Sequence, residues 1–359
     1  MAIYKHVLIL SIVMGLLATT YAQHTLGVQE KLDSLVNAKK IPGIIVGISQ
    51  NGQRKFIYSG YANKESELPM QPDRQVEIGS ITKTFTAYIL CRLLQDRRIN
   101  DTTSFNRWLP DSVQANANLR GKSFLQLLNH TSGLPRLPSN LKGTREQPYA
   151  GYSEQDLYSY LTNAKLDTAS TYSYSNLGMG LAGQLACVLS KQSYATLVDR
   201  YIVQPLKLTS TGLEANPKLP ICTGYMNGRA TPYWQMGALQ GAGSIKSTPE
   251  DMLTYLEFIA ENQDDPIVKI IIAPTTKVNE TLSIARAWHW LLLPDQQKIL
   301  WHNGGTYGFS TFCGIDLATK TEVFVAVNAF NANNLSDRIG IDILKSAFVP
   351  ASVLAKHLF

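Results

Sequence analysis

No two of the four cysteines, Cys91, Cys187, Cys222 and Cys313, lie close enough in sequence to form a C-x-x-C or any metal-ligand spacing. That scatter excludes a zinc-ribbon type of site and a small fold stapled by disulfides. Cys91 and Cys187 fall in apolar helical stretches and read as small buried residues, although an oxidising compartment would still permit a bridge. Charge is sparse too: 17% of the 359 residues are charged, the formal net charge is +6, and the basic residues form only short groups such as Arg97-Arg98. A nucleic-acid binder concentrates its basic residues in one patch, so that class is set aside. A mild positive balance still suits an anionic substrate such as a peptide carboxylate. G-x-S-x-G, H-E-x-x-H and P-loop patterns are all missing, which removes α/β-hydrolase, zincin and nucleotide-triphosphatase readings. Gly178-Met179-Gly180-Leu181-Ala182-Gly183 spells a dinucleotide fingerprint, but no strand of a βαβ unit precedes it. Small residues at that spacing predict close helix packing instead, so neither a cofactor nor a metal is expected.

Long apolar runs are equally scarce. The one at the N-terminus, Val7 to Leu17, follows Lys5 and precedes Thr20-Tyr21-Ala22, the layout of a secretory signal peptide. Cleavage is expected after Ala22, because the run falls short of the roughly 20 residues a membrane-spanning helix needs. No cysteine sits at that point to carry a lipid. The mature chain is therefore expected in the periplasm or secreted, without a later span.

What remains, 45% hydrophobic, is ordinary globular composition with no internal repeat or low-complexity segment. A helix is expected from Gln29 to Ala38, a β-branched strand from Gly43 to Gln50, a two-residue Asn51-Gly52 turn and a returning strand from Arg54 to Tyr61. Three more strands, Lys298 to Trp301, Phe309 to Ile315 and Glu322 to Ala329, precede an amphipathic helix from about Leu335 to Phe348. The chain between is mostly helical in pattern, with long polar loops at Pro135 to Gly151 and Glu214 to Gln235. These elements predict an α+β fold: an antiparallel sheet flanked by terminal helices, with an inserted, mostly helical lobe. One domain from 23 to 359 would place its sheet lobe at about 23–75 plus 285–359 and its helical lobe at about 76–284. A cleft forms where two such lobes meet.

At that junction stands Ser80-Ile81-Thr82-Lys83. A serine hydroxyl needs a base to become a nucleophile, and residues three apart on a helix share a face, so Lys83 can stand beside Ser80. The same spacing occurs at Ser139-Asn140-Leu141-Lys142, but in a Pro- and Gly-containing loop. Behind Ser80, Phe85, Ala87, Tyr88, Ile89, Leu93 and Leu94 continue a helix with a wide apolar band.

Three further stretches carry usable chemistry. Tyr174 and Asn176, in Thr171-Tyr172-Ser173-Tyr174-Ser175-Asn176, pair a proton-relaying phenol with an amide donor on one tight loop, or else form a Tyr-rich turn before a helix. In Trp301-His302-Asn303-Gly304-Gly305, the glycines let backbone N–H groups approach a ligand, while His302 and Asn303 offer side chains to a substrate carboxylate. Asn129-His130-Thr131-Ser132-Gly133-Leu134-Pro135 reads as loop architecture. Gly241-Ala242-Gly243-Ser244, followed by Ser247-Thr248-Pro249-Glu250-Asp251-Met252, reads similarly as a Gly-rich loop and a capped helix start.

In order, Ser80-Ile81-Thr82-Lys83, Tyr174-Ser175-Asn176 and His302-Asn303-Gly304 resemble the three signature motifs of the penicillin-recognising serine hydrolases, in the class C β-lactamase and DD-peptidase branch. His130 to Leu134 and Gly241 to Met252 are similar to further recurring segments of that family, and the resemblance runs from about 25 to 348. It implies Ser80 as the acylated nucleophile, Lys83 and Tyr174 sharing proton transfer, and Asn176 contacting the substrate amide carbonyl. It also implies an oxyanion hole from the backbone N–H groups of Ser80 and Gly305, with His302 on the strand that lines the cleft and Tyr174 activating the water that releases the acyl group. Class C β-lactamases usually carry Lys-Thr-Gly where this chain has His302-Asn303-Gly304, which tilts the expectation toward a peptidase. Its substrates would be D-alanyl-D-alanine-type peptides, β-lactams or small esters.

Overall fold

The structure, a computed structural model, describes residues 27–167, 171–216 and 218–346. The expected leader at 1–22 lies outside them. Helix α1 (27–37) leads into strands β1 (Gly43–Gln50) and β2 (Gln53–Asn63). Asn51 and Gly52 both take positive φ, 50° and 77°, the left-handed geometry that matches a two-residue turn to the twist of its strands. β1 is buried along nearly its whole length because it pairs on both sides.

The sheet has nine antiparallel strands. Its remaining members are β3 (Leu68–Pro69), β4 (Thr276–Lys277), β5 (Leu282–Ile284), β6 (His289–Leu292), β7 (Lys298–Gly305), β8 (Ser310–Asp316) and β9 (Thr321–Val327). Their order is β3-β2-β1-β9-β8-β7-β6-β5-β4, so the chain's two ends meet where β1 pairs with β9. Two differences from expectation stand out. The sheet resumes at Thr276, ahead of residue 285, through strands too short to leave an alternation pattern. And β7 does not end at Trp301 but runs through His302 to Gly305.

One face of the sheet is covered by α1 and the final helix α5 (Asn333–Ser346), with Leu32, Ile339, Ile343 and Leu344 packed on Val46, Ile57, Phe312 and Val325. The other face holds the helical lobe, whose central members are α2 (Thr82–Asp96), α3 (Asn176–Ser190) and α4 (Pro249–Glu261). Phe85 of α2 stacks on Tyr255 of α4 at 4.0 Å between ring centroids, and the Tyr255 hydroxyl donates to Thr84. Twelve of the fifteen residues of α2 are buried, so the apolar band expected behind Ser80 fixes this helix in the core. All four cysteines are free thiols. No helix among the described residues is long and apolar enough to cross a membrane.

The glycines of α3 serve packing. A Cβ on Gly183 would meet the Gly241 Cα at 2.9 Å, and one on Gly180 would meet Leu239 at 2.4 Å. Gly183→Ala should therefore force the 237–242 turn away from α3 at a cost of about 1–3 kcal/mol. The loss should appear as a lower urea midpoint, and an unchanged midpoint would mean that the lobe absorbs a methyl group without strain.

Candidate active site

Ser80 owes its position to a sharp change of direction. The chain leaves a two-residue strand at Val76–Glu77, turns at Gly79 with φ +54°, and enters α2 through a 3-10 turn at Gly79–Ile81. Ser80 thus sits one turn ahead of α2 rather than within it. Lys83, in the first turn of the helix, still reaches it: Nζ and the Ser80 Oγ are 2.8 Å apart, and Nζ donates to the Ala242 carbonyl at 2.6 Å. Lys83 is completely buried. Desolvation, reinforced by the positive charge of Arg136, holds its pKa well below the ordinary 10.5. A neutral amine keeps a lone pair available for the serine proton.

The Tyr174 ring lies beneath the same amine, with Nζ 4.9 Å from its centroid. Burial raises the phenol's pKa above its usual value, partly countered by a hydrogen bond with Ser80. The loop that carries it is held by His130, which takes a left-handed φ of 61°. The His130 carbonyl accepts from the Ser173 N–H at 2.8 Å, and its Nδ1 accepts from the Ser175 N–H at 3.2 Å. Accepting there leaves the ring proton of a neutral imidazole on Nε2. Ser175 then caps α3 by accepting from Gly178 at 2.8 Å, so Asn176 opens the helix. The Asn176 amide lies beside the Tyr149 phenol.

Across the cleft, β7 comes backbone to backbone against the Ser80 turn. A Cβ on Gly304 would meet the Ile78 carbonyl oxygen at 2.0 Å, and one on Gly79 would meet the Gly305 nitrogen at 2.7 Å. Glycine is required on both sides of this contact. Buried Glu77 steadies it from below: its carboxylate accepts from the Thr306 hydroxyl at 2.7 Å and from the Trp234 N–H at 2.6 Å. Asn333, the first residue of α5, donates to the Gly304 carbonyl at 2.7 Å.

The third motif departs from the expectation that His302 and Asn303 together address a substrate carboxylate. Successive residues of a strand point to opposite faces, so the two side chains diverge. Asn303 Nδ2 donates to Asp337 of α5 at 2.7 Å. His302 turns toward the helical lobe, completely buried behind Tyr174 and His289, at centroid distances of 6.2 and 4.9 Å. Burial and the neighbouring His289 hold its pKa well below 6.5, so it is neutral.

Ser80, Tyr174, Asn176, Asn303 and Gly305 line one cavity of about 470 Å³ with Arg136, Tyr149, Tyr172, Trp234, His289 and Asn333. The competing pair falls apart: Lys142 is bound in an ion pair with Asp156, and Ser139 is exposed. Arg136, Tyr149, Trp234, His289 and Asn333 escaped sequence reasoning because they converge on the cleft from segments far apart in the chain: the 135–151 loop, the loop at Trp234, the start of β6 and the start of α5. His130 had a signal, its place between two turn residues, but reads there only as loop architecture.

The fold matches solved proteins of this architecture. A class C beta lactamase from Rhodobacter sphaeroides superposes with a TM-score of 0.75, covering 87% of this chain and 97% of that one at 21% identity. The model of the beta-lactamase family matches residues 28–345, and the chain belongs to that family. It is 29% identical to a beta-lactamase of Providencia stuartii over 69% of this chain and 64% of that protein. It is 25% identical to the D-alanyl-D-alanine-carboxypeptidase/endopeptidase AmpH of Escherichia coli over 83% of each. The alignments to the beta-lactamases of P. stuartii and E. coli thus span less than two thirds of those relatives, 64% and 59%.

Gly304→Ala should push β7 off the Ile78 carbonyl, lower the melting temperature through about 1–3 kcal/mol of strain, and open the gap between Gly305 and Ser80. A variant that melts like the parent would show that this contact is not tight in solution.

Proposed function

We propose that the protein is a serine hydrolase that forms an acyl-enzyme at Ser80, acting on D-alanyl-D-alanine-type peptides. The observation that carries this reading is the buried amine of Lys83 held 2.8 Å from the Ser80 hydroxyl and, among the described residues, in no ion pair. Lys83 has its pKa pushed down and Tyr174 has its pKa pushed up, which separates the roles of base and acid. Neutral Lys83 takes the Ser80 proton as Oγ attacks the scissile carbonyl carbon. The oxyanion receives the N–H groups of Ser80 and Gly305, brought together by the Gly79 contact with β7. As the C–N bond breaks, the Tyr174 phenol protonates the leaving nitrogen and recovers a proton from Lys83, so the pair ends the step as it began. Water then attacks the ester, its proton passing through Tyr174 and Lys83, and Ser80 Oγ leaves with a proton. Asn176 orients the substrate amide carbonyl.

A neutral His302 supplies no fixed charge behind Tyr174, and the similarity to AmpH extends over most of both chains. Both favour a peptidase. Hydrolysis of β-lactams is the second reading, favoured by the family and by the P. stuartii relative. An esterase on the same fold is the third, and a relative that only binds ligand is countered by the complete Ser80, Lys83, Tyr174 and Asn176 set. Export through the 1–22 leader to the periplasm or medium belongs to the same proposal, and N-terminal sequencing should find Gln23 first.

Intact-mass spectrometry after adding a penicillin separates these activities. A lasting adduct absent from Ser80→Ala indicates a penicillin-inhibited peptidase, and a fleeting adduct with hydrolysed drug indicates a β-lactamase. Ser139→Ala should acylate like the parent, and acylation surviving in Ser80→Ala would refute the nucleophile. Lys83→Ala and Tyr174→Phe should each slow acylation about a hundredfold or more. The pH profile follows from the signs of the shifts. Activity should rise with pH as Lys83 deprotonates well below 10.5, then hold through pH 10, since Tyr174 keeps its proton there. A descending limb below pH 10 in folded enzyme would contradict the assignment of Tyr174 as the acid.

A further inference from the structure

Among the described residues that line the cleft, Arg136 is the one Arg or Lys; the rest are Tyr, Trp, Asn, Gly, Ser and apolar residues, with a His289 whose pKa is lowered to about 4. Among the described residues, no Asp or Glu lines the cavity. Arg136 is exposed and, among the described residues, joined to no carboxylate. Its guanidinium lies 5.2 Å from the centre of the Tyr174 ring. Its charge acts on Lys83, His130, Tyr149, Tyr172 and Tyr174, so it faces the reacting groups. Its backbone is equally fixed: the Arg136 carbonyl accepts from the Asn176 and Leu177 N–H groups at 3.0 and 3.2 Å. A planar fork of donors, anchored over an aromatic ring in an otherwise uncharged cleft, suits a carboxylate.

Its location says which part of the substrate carries that group. Arg136 belongs to the Tyr149–Asn176 side, where Asn176 would hold the acyl portion. The opposite side, at Asn303 and Asn333, presents amides already committed to Asp337 and Gly304. We infer that Arg136 selects acyl donors bearing their own carboxylate, one placed on the acyl side of the scissile bond. This rests on the acyl-enzyme reading above.

The test pairs two nitrophenyl esters of equal acyl length, one ending in a carboxylate and one in a methyl group. Parent enzyme should prefer the anionic ester in kcat/KM, and Arg136→Gln should lower the anionic-to-neutral ratio about ten- to a hundredfold. Arg136→Glu should lower it further, and added salt should weaken the parent's preference. Removing Arg136 also raises the Lys83 pKa, but at fixed pH that change affects both esters and cancels in the ratio. An unchanged ratio in Arg136→Gln overturns the inference. Calorimetric binding of the anionic ester to Ser80→Ala, with and without Arg136→Gln, decides the matter independently of turnover: tighter binding with Arg136 present supports it, and equal binding overturns it. If the parent hydrolyses neither ester, the hydrolase reading falls, while this binding comparison still judges Arg136.

Discussion

The amine of Lys83 in the dry junction of the two lobes is the constraint on which the rest of the site depends. Burying an ammonium without a counter-ion costs several kcal/mol or more, and that cost pushes the Lys83 pKa down toward the neutral amine. A neutral amine inside the core then needs only ordinary hydrogen bonds, and it has them in Ser80 and the Ala242 carbonyl. The same apolar packing that stabilises α2, with Phe85 on Tyr255, thereby provides the dry setting that the proposed base requires. Stability and chemistry draw here on one cause, the exclusion of water from this end of the helix.

The groups around Lys83 obey that constraint. His130, His289 and His302 crowd the Tyr174 side of the amine, and burial keeps all three below the ordinary histidine pKa. Charged imidazolium there would repel a proton on Lys83 and would itself be desolvated. As neutral rings they act as stiff, polarisable packing, with His130 fixing the Tyr174 loop through its backbone and Nδ1. The glycine contact between Gly79 and Gly305 supplies the other requirement, that two backbone segments approach more closely than side chains allow.

Local pattern made much of this legible. The β1–β2 hairpin follows from Asn51-Gly52, and α5 from its amphipathic spacing, which the structure places at Asn333–Ser346. The nearness of Ser80 and Lys83 follows from their spacing together with the apolar helix behind them, because in a helical turn, α or 3-10, i and i+3 meet. What escaped was set by long-range pairing. β5 is a strand only because β6 is there to pair with it, and β4 only because β5 is. The reach of β7 through His302 depends on β8, and that extra strand length makes His302 and Asn303 point apart. Arg136 carried no signal, since an exposed arginine in a polar loop looks like any other until the fold lays it over Tyr174.

The placement of positive charge connects these observations. A lysine in the third motif sets a fixed cation deep beside the tyrosine, where it would bear on Lys83 as well as on substrate. With His302 neutral, that source is removed, and the cleft would lack any cation to meet an anionic substrate were it not for Arg136 at its open side. There the guanidinium stays exposed to solvent while its positive charge, after burial, helps to lower the Lys83 pKa. Moving the charge outward separates two demands that a buried lysine couples: keeping the base neutral in the resting enzyme and attracting an anion from solution. On the proposed reading it also changes the geometry of attraction, since a charge tethered to Asn176 would bear on the acyl portion of a substrate more than on its leaving group.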